Sequence, residues 1–292
     1  YILMLAVGTA GLLSGAQAAP AAKYLSPVAL AARGNTLYVA ESTASQVSIV
    51  NVGEGKVTKR VSLKRNPTGV ALSANGQTLF VTEEGPDGSV HLVDTKAAKV
   101  THSIRLGHTP IAPVASADGK RLYICNRFDN NVAVIDLAKR RVISRVPVTR
   151  EPIAAVLSQD GSTLFVANHL PTGAANVDRM TSVIDVIDTT TLKVARSIPL
   201  PNGAIDLRGM ALSPDGKHVY VPSIFARFLV PTTQIERGWI NTHALNIIDV
   251  QARELLWTVL LDDVDMGAAN PWGVAASADG KTICVSHAAT HE

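Results

Sequence analysis

The sequence predicts an all-β fold, a β-propeller of four-stranded antiparallel blades, on three observations. A unit of about 42 residues recurs along the chain, β-branched runs divide each unit into four short strands, and no helical pattern interrupts them. The unit is plainest in PTGVALSANGQTLFVTEEGPDGSVHLVDTKAAKVTHSIRLGHT, residues 67–109, and it returns from Pro110 and from Pro152. Turn glycines at Gly34, Gly76, Gly119, Gly161, Gly216 and Gly280 lie 42, 43, 42, 55 and 64 residues apart, so the later units carry insertions.

Within the second unit the four strands are expected at 69–73, 78–82, 89–93 and 99–106. Asn75-Gly76, Asp118-Gly119, Asp160-Gly161, Asp215-Gly216 and Asp279-Gly280 tolerate the positive φ of a tight hairpin between the first two strands. Asp94, Asp136, Asp188 and Asp249 end the third strand and cap the following turn through their carboxylates. Sheets this small cannot bury both faces alone, and repeats of this length stack radially as blades. Five complete blades are expected, starting near Pro27, Pro67, Pro110, Pro152 and Gly209. A partial sixth starts near Trp272, with seven in the full protein, so residues 19–292 form a C-terminally truncated propeller.

Residues 1–18, YILMLAVGTAGLLSGAQA, read as an export signal incomplete at its start, closing in Ala16-Gln17-Ala18 before Ala19-Pro20. The run is short for a membrane span and no basic flank follows it. The expected location is therefore the periplasm, the medium or the cell surface, with no stable membrane span. The 292 residues are 47% hydrophobic, which argues against disorder. Lys and Arg number 27 against 24 Asp and Glu, and a net charge of +3 gives no bulk preference for nucleic acid. Cys125 and Cys284, in RLYICN and TICVSH, are expected to be two buried free thiols, since no CxxC or close His-Cys spacing supports a metal pair.

LYVAE, LFVTE, LYICN, LFVAN and VYVPS, with SPDGK and VIDTTT, resemble the YVTN β-propeller repeat family. That resemblance covers residues 27–292 and implies a fold rather than an activity. VPTTQIERGWINTHALNIID, LLDDVDMGAANPWGVA and SHAATHE are similar to exported bacterial propellers that precede a c-type haem domain. No CxxCH occurs in these residues, so the resemblance implies no cofactor here and a c-type haem, if there is one, beyond Glu292.

In a four-stranded blade, the loop between the second and third strands and the loop into the next blade open on one rim. All four long segments, 168–181, 201–208, 223–243 and 262–271, belong to that rim, while the opposite turns are uniformly short. Loops on a rigid scaffold carry function, so this rim is the candidate face. The second strands end on it at Glu41, Glu83, Asn126, Asn168, Ser223 and His287, which are expected to ring the channel mouth.

Arg65, Arg127, Arg150 and Arg208 come from successive stages of the ring and can gather on an anionic ligand, or simply pair with Glu83, Glu84 and Asp206. Trp239 and Trp272 supply stacking surface or pack a lid against the ring. His108, His169, His243 and His287 map to the rim without any metal-ligand spacing, and Asp262, Asp263 and Asp265 match a calcium loop only loosely. The selected ligand- or partner-binding set is Arg127, Arg150, His169, Arg208, Trp239 and His287, with no metal site and no assigned catalytic residue.

These residues read best as a noncatalytic binding propeller, the front part of a redox-associated c-type cytochrome protein. Its partner is a small molecule or a protein, a redox protein among them. The competing reading is an enzyme, a lactonase-like hydrolase or a quinoprotein-type dehydrogenase component, which needs an acid, base or metal converging at the channel mouth.

Overall fold

The computed structural model describes residues 24–174, 176–226, 241–262 and 269–288. Residues 1–18, Trp239, most of the blade-five insert, Asp263, Asp265 and His291 lie outside the described residues.

Blade 1 comprises β1 (Pro27–Arg33), β2 (Thr36–Glu41), β3 (Gln46–Asn51) and β4 (Lys56–Ser62). Blade 2 comprises β5 (Pro67–Leu72), β6 (Thr78–Glu83), β7 (Ser89–Asp94) and β8 (Lys99–Arg105). Blade 3 holds β9 (Pro110–Ala115), β10 (Arg121–Asn126), β11 (Asn131–Asp136) and β12 (Arg141–Pro147), and blade 4 holds β13 (Pro152–Leu157), β14 (Thr163–Asn168), β15 (Val183–Asp188) and β16 (Lys193–Pro199). Each is an antiparallel meander in chain order. In blade 5 the first strand is split into β17 (Ala204–Ile205) and β18 (Ala211–Leu212), both paired with β19 (His218–Ala226), followed by β20 (Asn241–Asp249) and β21 (Glu254–Leu260). β22 (Pro271–Ala276) and β23 (Ile283–His287) form a two-stranded sheet. The chain is a β-propeller, and among the described residues the only helical turn is the 3-10 segment Arg127–Asp129.

The core is a series of layers between blades. Tyr38, Ala40, Val47, Ile49 and Val61 of blade 1 pack on Val70, Leu79, Val81 and Val93 of blade 2. Phe80, pointing the other way from β6, joins Leu92 and Ile104 against Leu122, Ile124 and Ile135 of blade 3. The same alternation makes Tyr123 face blade 4 and Phe165 face blade 5. A second strand is therefore buried on both sides, which is why LFV, LYI and LFV are continuous apolar runs.

The short-turn rim follows one rule. Ser116, Ser158, Ser213 and Ser277 each donate a hydroxyl hydrogen bond to the aspartate two residues on, at 2.5–2.6 Å, and that aspartate accepts the backbone N–H two residues further, at 3.0–3.1 Å. Gly119 completes such a turn at φ 69°, in the left-handed region expected from the Asp-Gly pairs. The serine hydroxyl first, and the backbone N–H second, hold the carboxyls of Asp118, Asp160, Asp215 and Asp279 below the usual carboxylate range. A carboxyl depressed by folding stabilises the fold above its unfolded pKa and stops doing so as pH falls through its folded value. The melting temperature is thus expected to be flat above about pH 5 and to fall below about pH 4. Asn75 already occupies this place in blade 2 with the same hydrogen bonds. Replacing the four aspartates by Asn should make the acid limb shallower in thermal melts, and an unchanged limb would assign the acid sensitivity elsewhere.

The two cysteines differ from the expected pair. Cys125 is fully buried between blades 3 and 4, and burial pushes its thiol up to about 12, so it is inert at neutral pH. Cys284 is exposed instead, on the β22–β23 sheet.

Candidate functional site

A cavity of about 430 Å³ lies at the hub, lined by residues of β1, β5, β9, β13 and β22 and, from blade 5, by Arg208 and Met210. Its wall follows from a repeated irregularity. β1, β5, β13 and β22 each open with proline and then slip register against the second strand, leaving Val28, Thr68, Ile153 and Trp272 at the slip. Counting five residues back from the turn serine gives Thr68, Ile111, Ile153, Arg208 and Trp272, and Val28 holds the same place in blade 1. All six line the cavity. Arg208 is the one charged member of this set.

In blade 5 the irregularity widens to the five residues 206–210, between β17 and β18, and these carry the polar cluster. Asp206 sits at φ 58°, a conformation Asp tolerates better than bulkier residues. Its carboxylate holds the Arg208 guanidinium in a two-point grip, Nε to Oδ2 at 3.1 Å and Nη2 to Oδ1 at 3.0 Å. His169 Nε2 lies 3.2 Å from the same Oδ1, and its Nδ1 hydrogen-bonds the Leu207 carbonyl at 2.8 Å. The guanidinium lies over the Trp272 ring, 4.2 Å from its centroid.

Arg127 reaches the cavity from the loop after β10. Glu151 Oε2 accepts from its Nε at 3.2 Å and from its Nη2 at 3.0 Å, and Phe128 lies 4.9 Å away under the guanidinium. Each arginine is fixed by a carboxylate through Nε and Nη2, which leaves Nη1 as an oriented pair of donors beyond the ion pair.

Of the six sequence-selected residues, Arg127 and Arg208 share the cavity and His169 supports it through Asp206. Arg150 is exposed and donates to the Pro171 carbonyl at 2.8 Å, away from the cavity lining. His287 is half-buried, with an unpartnered Nδ1, on β23. Trp272 lines the cavity, and Trp239 lies outside the described residues. His108 meets Phe128 edge-on, and His243 is held by Asp262 at 2.9 Å. No group of three metal-ligating side chains converges among the described residues.

The second-strand ends do not ring the channel mouth. Glu41, Glu83, Asn126, Asn168 and Ser223 are buried, because they satisfy N–H groups of the incoming loops or side chains of the third strands. Glu83 Oε1 accepts from the Lys64 and Arg65 backbones at 2.9 and 2.6 Å, Asn126 from Gly107, and Asn168 from Arg150. Beneath these ends runs a polar chain that sequence reasoning missed. In blade 2 it is Glu83, His91 and Ser103; in blade 4 it is Asn168, Asp185 and Ser197; in blade 5 it is Ser223, Asn246 and Thr258. The blade 2 version has the membership of a hydrolase triad, with Ser103 Oγ 2.7 Å from His91 Nδ1. Its equivalents in blades 4 and 5 contain no histidine, and in all three blades the chain ties the second strand to the third and fourth, so it is a structural brace.

Residues 74–206 match the family model described as Cytochrome D1 heme domain. A stretch of 108 residues is 26% identical to hydrazine synthase subunit beta of Kuenenia stuttgartiensis, covering 37% of this chain and 28% of that protein. The chain thus spans less than a third of the curated relative it matches. Among solved structures, Kuenenia stuttgartiensis hydrazine synthase superposes with a TM-score of 0.83 at 24% identity, over 96% of this chain and 78% of the other. That superposition supports the propeller fold. The family match is a likeness over residues 74–206, less than half of the chain.

Among the cavity-lining residues Met210 is the sole soft donor, with no histidine, cysteine or tyrosine beside it, and both guanidiniums already hold carboxylates. An axial-ligand set needs more than that. This lining does not fit a haem.

Proposed function

We propose that this chain is an exported, noncatalytic propeller whose long-loop rim binds a ligand or a protein partner, within a redox-associated protein of the c-type cytochrome kind. The observation that carries the binding site is the convergence of Arg127, Arg208 and Trp272 on one cavity, with each arginine pre-oriented by its own carboxylate. Because Glu151 and Asp206 neutralise the two cations, the site favours a small, planar, singly charged or neutral acceptor over a polyanion. The redox association is supported by the likeness to a cytochrome D1 haem domain and to a hydrazine synthase subunit.

Benzoate is a suitable probe, followed by indole fluorescence. A saturable change is expected in the wild type and should disappear in R127A/R208A, with the propeller's circular dichroism retained. No saturable response, or one that survives in R127A/R208A, would remove the cavity as the site. Haem staining of the exported full-length protein tests the second element. A covalently stained band is expected, and its absence would separate the propeller from c-type haem.

A further inference from the structure

The outermost strand of each blade forms the side wall of the ring, and its charge is one-sided. β4, β8, β12 and β16 read KVTKRVS, KVTHSIR, RVISRVP and KVARSIP. They carry Lys or Arg at nine positions, all exposed, and no Asp or Glu, although the whole chain is nearly balanced at 27 to 24. Lys99, Arg141 and Lys193 stand cross-strand from Asp94, Asp136 and Asp188, and Arg196 pairs with Glu254 at 2.8 Å. Five cations are left over: Lys56, Lys59, Arg60, Arg105 and Arg145. No ion pair holds any of them among the described residues. In blade 1 the place of the cross-strand aspartate is taken by Asn51, so Lys56 has no counter-charge.

Protection of exposed sheet edges explains charge on an outer strand. It does not explain the sign, since acidic residues protect an edge as well. Nor is charge here a requirement of the fold, because β21, the outer strand of blade 5, has no basic residue and exposes Trp257.

We propose that the outer wall of blades 1–3 is a docking surface for an acidic protein. The five cations sit on successive blades around a ring, so a flat anionic membrane would meet one blade's set at a time, whereas a protein face can follow the curve. The four strands carry no Phe, Tyr or Trp, and single-stranded nucleic acid binding depends on such stacking platforms. Long-range attraction between exposed charges raises encounter rates and is screened by salt. This surface is distinct from the hub cavity, and either reading can fail alone.

Poly-L-glutamate serves as the acidic chain, with phosphatidylglycerol vesicles and a DNA duplex as rival anions. The expected result is binding to poly-L-glutamate that weakens on the order of tenfold or more between low salt and about 0.5 M NaCl. It should be lost in K56Q/K59Q/R60Q/R105Q/R145Q. A control, K96Q/K120Q/K139Q/K217Q/K281Q, removes the same net charge from the short-turn rim and should keep it. Unchanged melting of the wall variant separates a docking loss from misfolding. Equal loss in the two variants, or tighter binding to vesicles or duplex than to poly-L-glutamate, would overturn the proposal.

Discussion

Replacing Asp185 by Ala is expected to destabilise the protein by about 3 kcal/mol, the sum of a few buried donors left without an acceptor at about 1–3 kcal/mol each, offset by removal of a buried charge. Asp185 is almost wholly buried and takes four hydrogen bonds: from the Thr149 N–H at 2.7 Å, the Thr149 hydroxyl at 3.1 Å, Asn168 Nδ2 at 3.0 Å and the Ser197 hydroxyl at 2.5 Å. The Thr149 bonds anchor the loop that continues into Arg150 and Glu151, and Glu151 orients Arg127 at the cavity. The variant should therefore weaken benzoate binding as well as lower the urea midpoint. Asp185→Asn keeps one acceptor oxygen and should cost less. Asn246 shows that an amide can serve this position when its neighbours are Ser223 and Thr258. A stability change below about 1 kcal/mol in Asp185→Ala would mean that water replaces the carboxylate, and the brace would not be what holds the loop.

The blades were legible in the sequence because their signals are local. An Asp-Gly pair fixes a hairpin, and a run such as LFV records burial on both faces within three residues. The break in blade 5 was less visible, since β17 and β18 have only two residues each and the carbonyls and amides of 206–210 are governed by contacts with distant loops, such as Asp206 N–H to His169 O. The hub wall had a signal that could have been read: the position five residues before each turn serine is apolar or Thr until it becomes Arg208 and then Trp272. Reading the rim by loop length instead selected Arg150, which belongs to an incoming loop but turns outward to Pro171. The second-strand ends were misassigned because a polar residue at a rim looks like a displayed one. Whether Glu83 faces solvent or a pair of backbone N–H groups depends on a loop about 18 residues away in sequence.

Gly209→Ala is expected to open the seam between blade 5 and the β22–β23 sheet and to separate Arg208 from Trp272. A Cβ on Gly209 would lie 2.5 Å from the Trp272 carbonyl oxygen and 3.2 Å from Gly273 Cα, and both are backbone atoms that cannot swing aside. Overpacking of this kind costs about 1–3 kcal/mol, and here relief requires the two inner strands to part. Gly119→Ala is the control. Its φ of 69° makes any side chain unfavourable by about 1–2 kcal/mol, but the added Cβ meets nothing within 4 Å, so the strain stays in one turn on the opposite rim. The two variants can lose similar stability and still differ at the hub. Trp272 is 45% exposed even when stacked on Arg208, so its fluorescence reports directly on their separation. The expected result is a changed indole emission and weakened benzoate binding in Gly209→Ala, with both unaltered in Gly119→Ala. If Gly209→Ala retains wild-type emission and binding, the close approach at residue 209 does not set the position of Arg208, and the cavity geometry must be held by Asp206 and His169 alone.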